Sequence, residues 1–344
     1  MEVTGLTRRV VVRDQSDGAN ARRVALRAAE KARFDSALQG RVSLIAAELS
    51  SNLLKHTGHG GSMLINSVVP DSGAGAVELV AIDRGPGMAN VGAAFEDGYS
   101  STGSLGVGMG AIRRLASHFE IHSVPDRGTA VLARVTADGL LAESQLEVGV
   151  VAIPKDGEDV SGDGWAMCNV PSGIQLLLVD GLGHGLLAHD AAMLALETFR
   201  SAAGRQPVDV MRAIHPAMRS SRGATASVFT LDARARCITY CGIGNIGAAV
   251  VTADRSSRLV SLNGTVGREP VQFRQFEAEW GPNAVLVAHS DGLTTHWRLD
   301  QPGLLAKDPT LIAAVLFRDY ARELDDVTVL VTRQRPVSAT KERR

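Results

Sequence analysis

Glu48, Asn52, Lys55 and His56 fall in the run AAELSSNLLKHTG, the last three lying four, seven and eight residues after the first. That spacing puts all of them on one side of a helix. Glu and Lys on a helix ordinarily face water, but here Ile45, Leu49 and Leu53 run beside them, so the polar stripe borders the core. Downstream, Asp83 closes the apolar run VELVAI and opens Asp-Arg-Gly-Pro-Gly, which contains Gly85 and Gly87. A carboxylate at a strand end can accept a base amine while the glycines let the backbone turn closely around a nucleotide. Gly106, Gly108 and Gly110 form GxGxG ahead of a helical stretch, Ala111–His118. Converging backbone N–H groups and the helix dipole suit phosphate there. Each motif alone is ordinary, and a lone GxGxG is commonly a turn. The order ELxxNxxKH, DxGxG, GxGxG, then Gly128-Thr129 on a strand is what carries the signal.

A second set is acidic. Asp163 lies in Ser-Gly-Asp-Gly-Trp between two strand-like runs, and Asp180 ends IQLLLVD and runs into Gly-Leu-Gly-His-Gly. Asp291 follows VLVAHS, and Asp325 and Asp326 precede VTVLVT. A carboxylate at the rim of an apolar strand is costly when unpaired. Bound Mg²⁺ or Mn²⁺ compensates, since both take hard oxygen ligands. Two such ions, ~4 Å apart, activate a water for attack on a phosphoester. His184 follows the acidic loop, and two roles stay open for it: protonating a leaving group, or capping a helix that begins near Leu186. His289 reads as a packing residue, and Met193, Leu194, Leu196 and Phe199 as a buried helix face. The three cysteines, Cys168, Cys237 and Cys241, have no paired CxxC spacing, so they read as reduced packing thiols rather than a zinc or disulfide framework.

These groups need two scaffolds. The chain has 344 residues, enough for roughly two domains. Lys+Arg 36 against Asp+Glu 37 leaves a net charge of −1, which argues against a general nucleic-acid surface or a polybasic membrane surface. No signal peptide and no apolar run of spanning length is visible, so a cytoplasmic protein is expected. Residues 1–136 read as a strand over Leu6–Arg13, a helix over Asp17–Phe34 capped by Asp17, and a helix over Arg41–Lys55. Strands over Ser62–Pro70 and Ala76–Asp83, the helix Ala111–His118, and strands over Phe119–Val124 and Thr129–Val135 complete that unit. Residues 137–145 read as a linker. Residues 146–333 carry strands over Leu146–Ile153, Trp165–Val170, Ile174–Asp180, Ala224–Asp232, Ile238–Cys241, Ala284–His289 and Val327–Arg333. Helical patches lie at Leu187–Ala203, Val208–Arg219 and Leu311–Leu324, and residues 334–344 form a tail.

The first motif set resembles the GHKL ATPase family, and the segment Phe95–Thr129 is similar to its compact RsbT-type anti-sigma serine kinases. That resemblance implies a Bergerat-type α/β sandwich that binds ATP and Mg²⁺. It assigns Glu48 as general base toward a substrate serine, Asn52 as the Mg²⁺ ligand, and Lys55 and His56 to the phosphate end. Asp83 would bind adenine, backed by Thr129, and Gly85, Gly87, Gly106, Gly108 and Gly110 would shape the pocket. The second set, SGDGW, VDGLGHGLLA, GATASVFTLD, SDGLT and DDVTVLV, resembles the PP2C (PPM) phosphatases, nearest their SpoIIE/RsbX branch. It implies a β-sandwich flanked by helices that holds two Mn²⁺ or Mg²⁺. The ligands would be Asp163, Asp180, the Gly181 carbonyl, Asp291 and Asp325, with Asp325 favoured over Asp326. Together the resemblances imply an α+β, two-domain switch protein, a serine kinase joined to a phosphoserine/phosphothreonine phosphatase. Expected partners are STAS-domain anti-sigma antagonists or stressosome scaffold proteins, with a sigma factor or downstream regulator as a further candidate. An alternative makes the first half a nucleotide-responsive binding module and only the second half catalytic.

Overall fold

The computed structural model describes residues 2–3, 5–69, 75–92, 108–137, 146–268, 270–322 and 324–335. After a short strand β1 (Glu2–Val3) come β2 (Arg8–Val12), α1 (Gln15–Lys31), α2 (Ser36–His56), β3 (Gly61–Val68), β4 (Ala76–Ile82), α3 (Gly108–Leu115), β5 (His118–Ser123) and β6 (Thr129–Thr136). The second half continues with β7 (Leu146–Ile153), β8 (Asp163–Val170), β9 (Gly173–Gly181), α4 (Leu186–Ala202), α5 (Pro207–Ala217), β10 (Ala224–Asp232) and β11 (Cys237–Ile243). It closes with β12 (Gly247–Val251), β13 (Ser256–Arg258), β14 (Phe276–Glu279), β15 (Val285–His289), α6 (Pro309–Tyr320) and β16 (Val327–Gln334). The two-part α+β architecture expected from the sequence is present.

Strands β2-β3-β4-β6-β5 form one antiparallel sheet, and α1, α2 and α3 cover one of its faces through Ala25, Ile45, Leu49 and Ile112. The second half is a sandwich of two sheets, ordered β1-β8-β9-β10-β11-β14 and β13-β12-β15-β16-β7. Its interior is filled by residues such as Trp165, Leu178, Phe229, Trp280 and Leu286. Helices α4 and α5 pack outside the first of these sheets.

Helix α6 joins the halves. Every residue from Pro309 to Arg318 is buried. On one side α6 meets Val151, Val329 and Val331 of the sandwich, and on the other Leu64, Val80, Ile82 and Leu132 of the first sheet. All of β4 is therefore buried, one set of its alternating side chains under α2 and the other under α6. A Cβ at Gly149 would collide with the Thr310 backbone, so glycine is what lets α6 lie this close to β7. The N-cap of α6, Asp308, accepts from Thr310 N at 2.9 Å and also meets Arg134 of β6 at 3.0 Å. Arg134 donates to Glu78, its cross-strand partner, at 2.7 Å.

Several boundaries differ from expectation. Helix α1 is capped by Asp14, whose carboxylate accepts from Ser16 N and Asp17 N, and Asp17 sits in the first turn. Helix α2 starts five residues earlier than expected, because Asp35 caps it through Leu38 N. Helix α3 begins at Gly108 rather than Ala111, so Gly108 and Gly110 lie in its first turn. Strand β1 belongs to the second half: Glu2 and Val3 pair with Cys168 and Met167, and Trp165 Nε1 donates to Gly5 O at 2.8 Å. The strands β12, β13 and β14 were not expected; β13 and β14 are short edge strands with mostly polar sequences. Met193 is exposed rather than part of the buried face that Leu196 and Phe199 form. The three cysteines are free thiols. Gly106, residues 138–145 of the expected linker and residues 336–344 of the tail lie outside the described residues.

Candidate active sites

In the first half, the buried stripe of α2 turns Glu48 and Asn52 toward the start of α3. A Cβ on Gly108 would stand 3.0 Å from Glu48 Oε2 and 3.5 Å from Asn52 Oδ1, so the three positions share one corner of the pocket. Among the described residues, Asn52 Nδ2 is buried without a hydrogen-bond partner. An unpaired buried amide is costly and fits a site built to receive a polar ligand such as a hydrated cation with phosphates. Lys55 and His56 are exposed at the end of α2.

Asp83 follows β4. Its Oδ1 accepts from Gly85 N at 2.8 Å and Thr129 N at 3.2 Å. Burial raises its pKa, and those two N–H groups partly offset the rise. The positive φ of Gly128 (79°) and the absence of a Cβ let that turn press against the Asp83 carbonyl, where any side chain would collide. Gly87 likewise has φ 67° and packs on Val124 O. The Thr129 hydroxyl pairs with Ser123 Oγ at 2.8 Å, and Ser123 Oγ also accepts from Met88 N at 2.8 Å. Ser123 was missed in the sequence because a lone serine at a strand end carries no pattern. His56, expected near the phosphate end, also exerts a small lowering influence on the Asp83 carboxylate, the least of those acting on it.

In the second half the acidic residues gather at one end of the sandwich. Asp163 was expected between strands but opens β8, where it pairs directly across from Asp180 on β9. Asp163 is buried, and among the described residues its Oδ2 has no partner in hydrogen-bond geometry, although the nearby Ser290 and Thr328 side chains act to lower its pKa. Burial is the largest cause raising the pKa of both, and for Asp180 the charges of Asp163, Asp291 and Asp325 follow. Asp291 is also raised, by burial and then by Asp325. Gly181 ends β9, its N–H bonded to Gly162 O at 3.0 Å. Among the described residues no three His, Cys, Asp or Glu side chains already enclose a single ion. Mutually repelling buried carboxylates with one orphaned oxygen nevertheless fit hard divalent cations that complete their shells with water.

Asp325 and Asp326 divide the work. Both oxygens of Asp326 are taken by backbone, Lys155 N and Gly162 N each at 2.8 Å. Asp325 uses only Oδ1, on Asp326 N at 3.0 Å. Asn245 was missed in the sequence: its Nδ2 donates to Asp291 Oδ2 at 2.8 Å while its Oδ1 accepts from Thr225 at 2.7 Å. The only trace of it is the Gly-Asn turn signal in Gly242-Ile-Gly-Asn245. His184 does not cap α4, whose N-cap is Gly185 without a side-chain bond; its Nδ1 lies 3.1 Å from Glu158 Oε1. His289 is buried and accepts from Trp297 Nε1 at 2.9 Å, a packing role.

Residues 12–135 match the histidine kinase-like ATPase domain family, and residues 171–335 match the stage II sporulation protein E (SpoIIE) family. The chain is similar to the serine/threonine-protein kinase RsbT of Bacillus subtilis (strain 168), 31% identical over 113 residues, covering 33% of this chain and 84% of RsbT. It is also similar to the phosphoserine phosphatase RsbX of the same organism, 25% identical over 145 residues, covering 42% of this chain and 73% of RsbX. A solved chain described under the bacterial stressosome, a modular system adapted to control secondary messenger signaling, superposes with a TM-score of 0.51 and 27% identity. That match covers 55% of this chain and 100% of the other. The chain thus belongs to the RsbT-like histidine kinase-type ATPase family through its first half, and carries a SpoIIE/RsbX-type PP2C phosphatase unit as its second.

Proposed function

We propose that this protein is a bifunctional partner-switching enzyme: an ATP-dependent protein-serine kinase and a metal-dependent phosphoserine/phosphothreonine phosphatase on one chain. The observation that carries the phosphatase reading is the cross-strand pair Asp163–Asp180 with its orphaned Oδ2. Asp163, Asp180, Asp291 and Asp325, with the Gly181 carbonyl, would hold two Mn²⁺ or Mg²⁺. Bound ions of this kind supply an activated water for phosphoester cleavage. The protein's own part is to keep four carboxylates at one rim, with Asn245 and the Asp326 backbone bonds fixing their supports.

In the first half, Glu48 would draw the proton from an acceptor serine hydroxyl and Asn52 would hold Mg²⁺ on the ATP phosphates. Asp83 would accept the adenine amine. The single unused carboxylate oxygen of Asp83, whose partner is held by Gly85 and Thr129, supports that role. STAS-domain anti-sigma antagonists or stressosome scaffold proteins are the substrates this reading implies. A second reading keeps the first half as a nucleotide-responsive binder of such partners. The position of Glu48 beside Gly108 and Asn52 favours the kinase, since a pure binder needs no base there.

Replacing Asp180 with Asn should abolish phosphatase turnover, by at least about a thousandfold in kcat, while ATP binding persists. Hydrolysis that survives in this variant would remove the metal assignment. Glu48→Gln should keep nucleotide affinity and lose transfer to a STAS protein, by about 10²–10⁴-fold. Transfer of labelled phosphate at an unchanged rate would instead leave the base role without support.

A further inference from the structure

Between the two halves lies a cavity of about 300 Å³ that neither half forms alone. One wall comes from β2, the start of β3 and the Asp83-Arg84 turn, and the other from the end of α6 and the segment leading into β16. The cleft is lined by Arg9, Arg13, Arg84, Arg318 and Arg322, and its far wall includes Asp325. These cations are not equally available. Arg318 is buried and neutralised by Asp319 at 2.7 Å, and Arg9 lies 3.8 Å from Asp156 and over the Phe317 ring. Arg13 and Arg322 are exposed and meet no carboxylate at ion-pair distance among the described residues. Arg84 is also exposed, and its guanidinium donates to the Arg318 carbonyl. The charge of Arg322 already acts on Asp291, which places this cation beside the acidic rim. The floor is apolar, formed by Phe317, Ile153 and Val327.

We propose that this cleft seats the phosphorylated segment of the protein substrate, with its phosphoryl group held by Arg322 and Arg84 at the Asp325 end and its flank reaching Arg13. The proposal rests on the phosphatase reading of the second half. An unpaired guanidinium beside a carboxylate-rich centre offers bidentate, charge-assisted bonds to a phosphomonoester. It also offsets the repulsion that the dianion would feel from the aspartates. The apolar floor suits a peptide flank more than a nucleotide: Phe317 is already covered by Arg9, which leaves His59 as the other ring in the lining. The Asp83 carboxylate, moreover, is turned to Gly85 and Thr129.

The test is fluorescence anisotropy on the full chain with a fluorescein-labelled hexapeptide of apolar flanks carrying phosphonomethylalanine, the non-hydrolysable phosphoserine analogue. Arg84→Gln and Arg322→Gln should each weaken binding by about tenfold. Asp156→Asn, which removes an exposed acid from the cleft, should tighten it about two- to threefold. Because that variant gains affinity, a folding defect cannot imitate its result. Unchanged binding in both arginine variants, or displacement of the peptide by a non-hydrolysable ATP analogue, would overturn the proposal. Hydrolysis of p-nitrophenyl phosphate by the unaltered chain reads the acidic centre separately. If that hydrolysis is absent while peptide binding still depends on the arginines, the phosphatase reading fails and the cleft stands. Hydrolysis together with arginine-independent binding removes the cleft alone.

Discussion

Asn245 shows how much of a carboxylate site rests on residues that are not themselves acidic. Its amide is held at one end by Thr225 and presents the other to Asp291, so Asp291 can take only a narrow range of orientations. Partners of this kind typically contribute 10- to 100-fold to metal affinity. Asn245→Ala should therefore raise the Mn²⁺ concentration needed for half-maximal phosphatase activity by about 10- to 100-fold, with much of kcat recovered at saturating metal. A variant that lost kcat at all metal concentrations would mean that Asn245 does more than orient Asp291. The two acids at 325 and 326 make the same point from the other side. They are alike and adjacent in the chain, yet Asp326 is consumed by the Lys155 and Gly162 backbone while Asp325 keeps an oxygen free.

At the scale of elements, α6 does what a surface helix of a two-layer domain does not, since it has no exposed stripe over its first three turns. Its C-terminal end is tied to the first half by a chain of polar contacts. His122 Nε2 donates to Gln301 Oε1 at 2.9 Å, Gln301 donates to Asp319 at 2.8 Å, Asp319 pairs with Arg318, and Arg318 donates to the Asp83 carbonyl at 3.2 Å. Burial lowers the pKa of His122; the nearby Lys307 and Arg318 lower it further, while Gln301 and Asp319 act against them. A histidine whose folded-state pKa lies below its unfolded value binds more protons when unfolded. Its contribution is thus fully present above the unfolded value near 6.5 and is lost as pH falls from there through the folded value. Because the raised carboxylates Asp163 and Asp180 act in the opposite sense, the readout is the difference: between about pH 6.5 and pH 5 the urea midpoint of His122→Gln should gain relative to the unaltered protein as pH falls. An identical slope in the variant would place the pH sensitivity elsewhere.

For the whole molecule, the consequence is that the halves share a core rather than merely a connection. Leu64, Val80 and Leu132 of the first sheet pack in the same cluster as Val151, Leu311 and Val329. Arg134 meets both Glu78 of its own sheet and Asp308 of α6. The three tryptophans, Trp165, Trp280 and Trp297, all lie in the second half, so their fluorescence follows that half alone. Release of a fluorescent ATP analogue follows the first. The two signals should change together across a urea titration, because neither half can open without exposing the apolar surface under α6. Arg134→Met leaves Glu78 and Asp308 as unpaired buried charges and should cost about 3–5 kcal/mol, moving both signals to lower urea. Transitions that separate widely in the unaltered protein would contradict a common core.

No helix among the described residues is long and apolar enough to cross a membrane. The acidic rim was legible in sequence because a carboxylate at the end of IQLLLVD or before VTVLVT is conspicuous against its apolar neighbours. The α2 stripe was legible because Glu48 and Asn52 recur at helical spacing. Both are local patterns, and local patterns survive in one dimension. What the linear order left unspecified was set by contacts across long separations: Asn245 on Asp291 over 46 positions, Arg134 on Asp308 over 174, and Arg318 on the Asp83 carbonyl over 235. The run Leu311–Phe317 announces a buried helix, but not that two sheets bury it. That outcome depends on the exclusion of water from both of its faces at once, which exists only when the two halves are assembled.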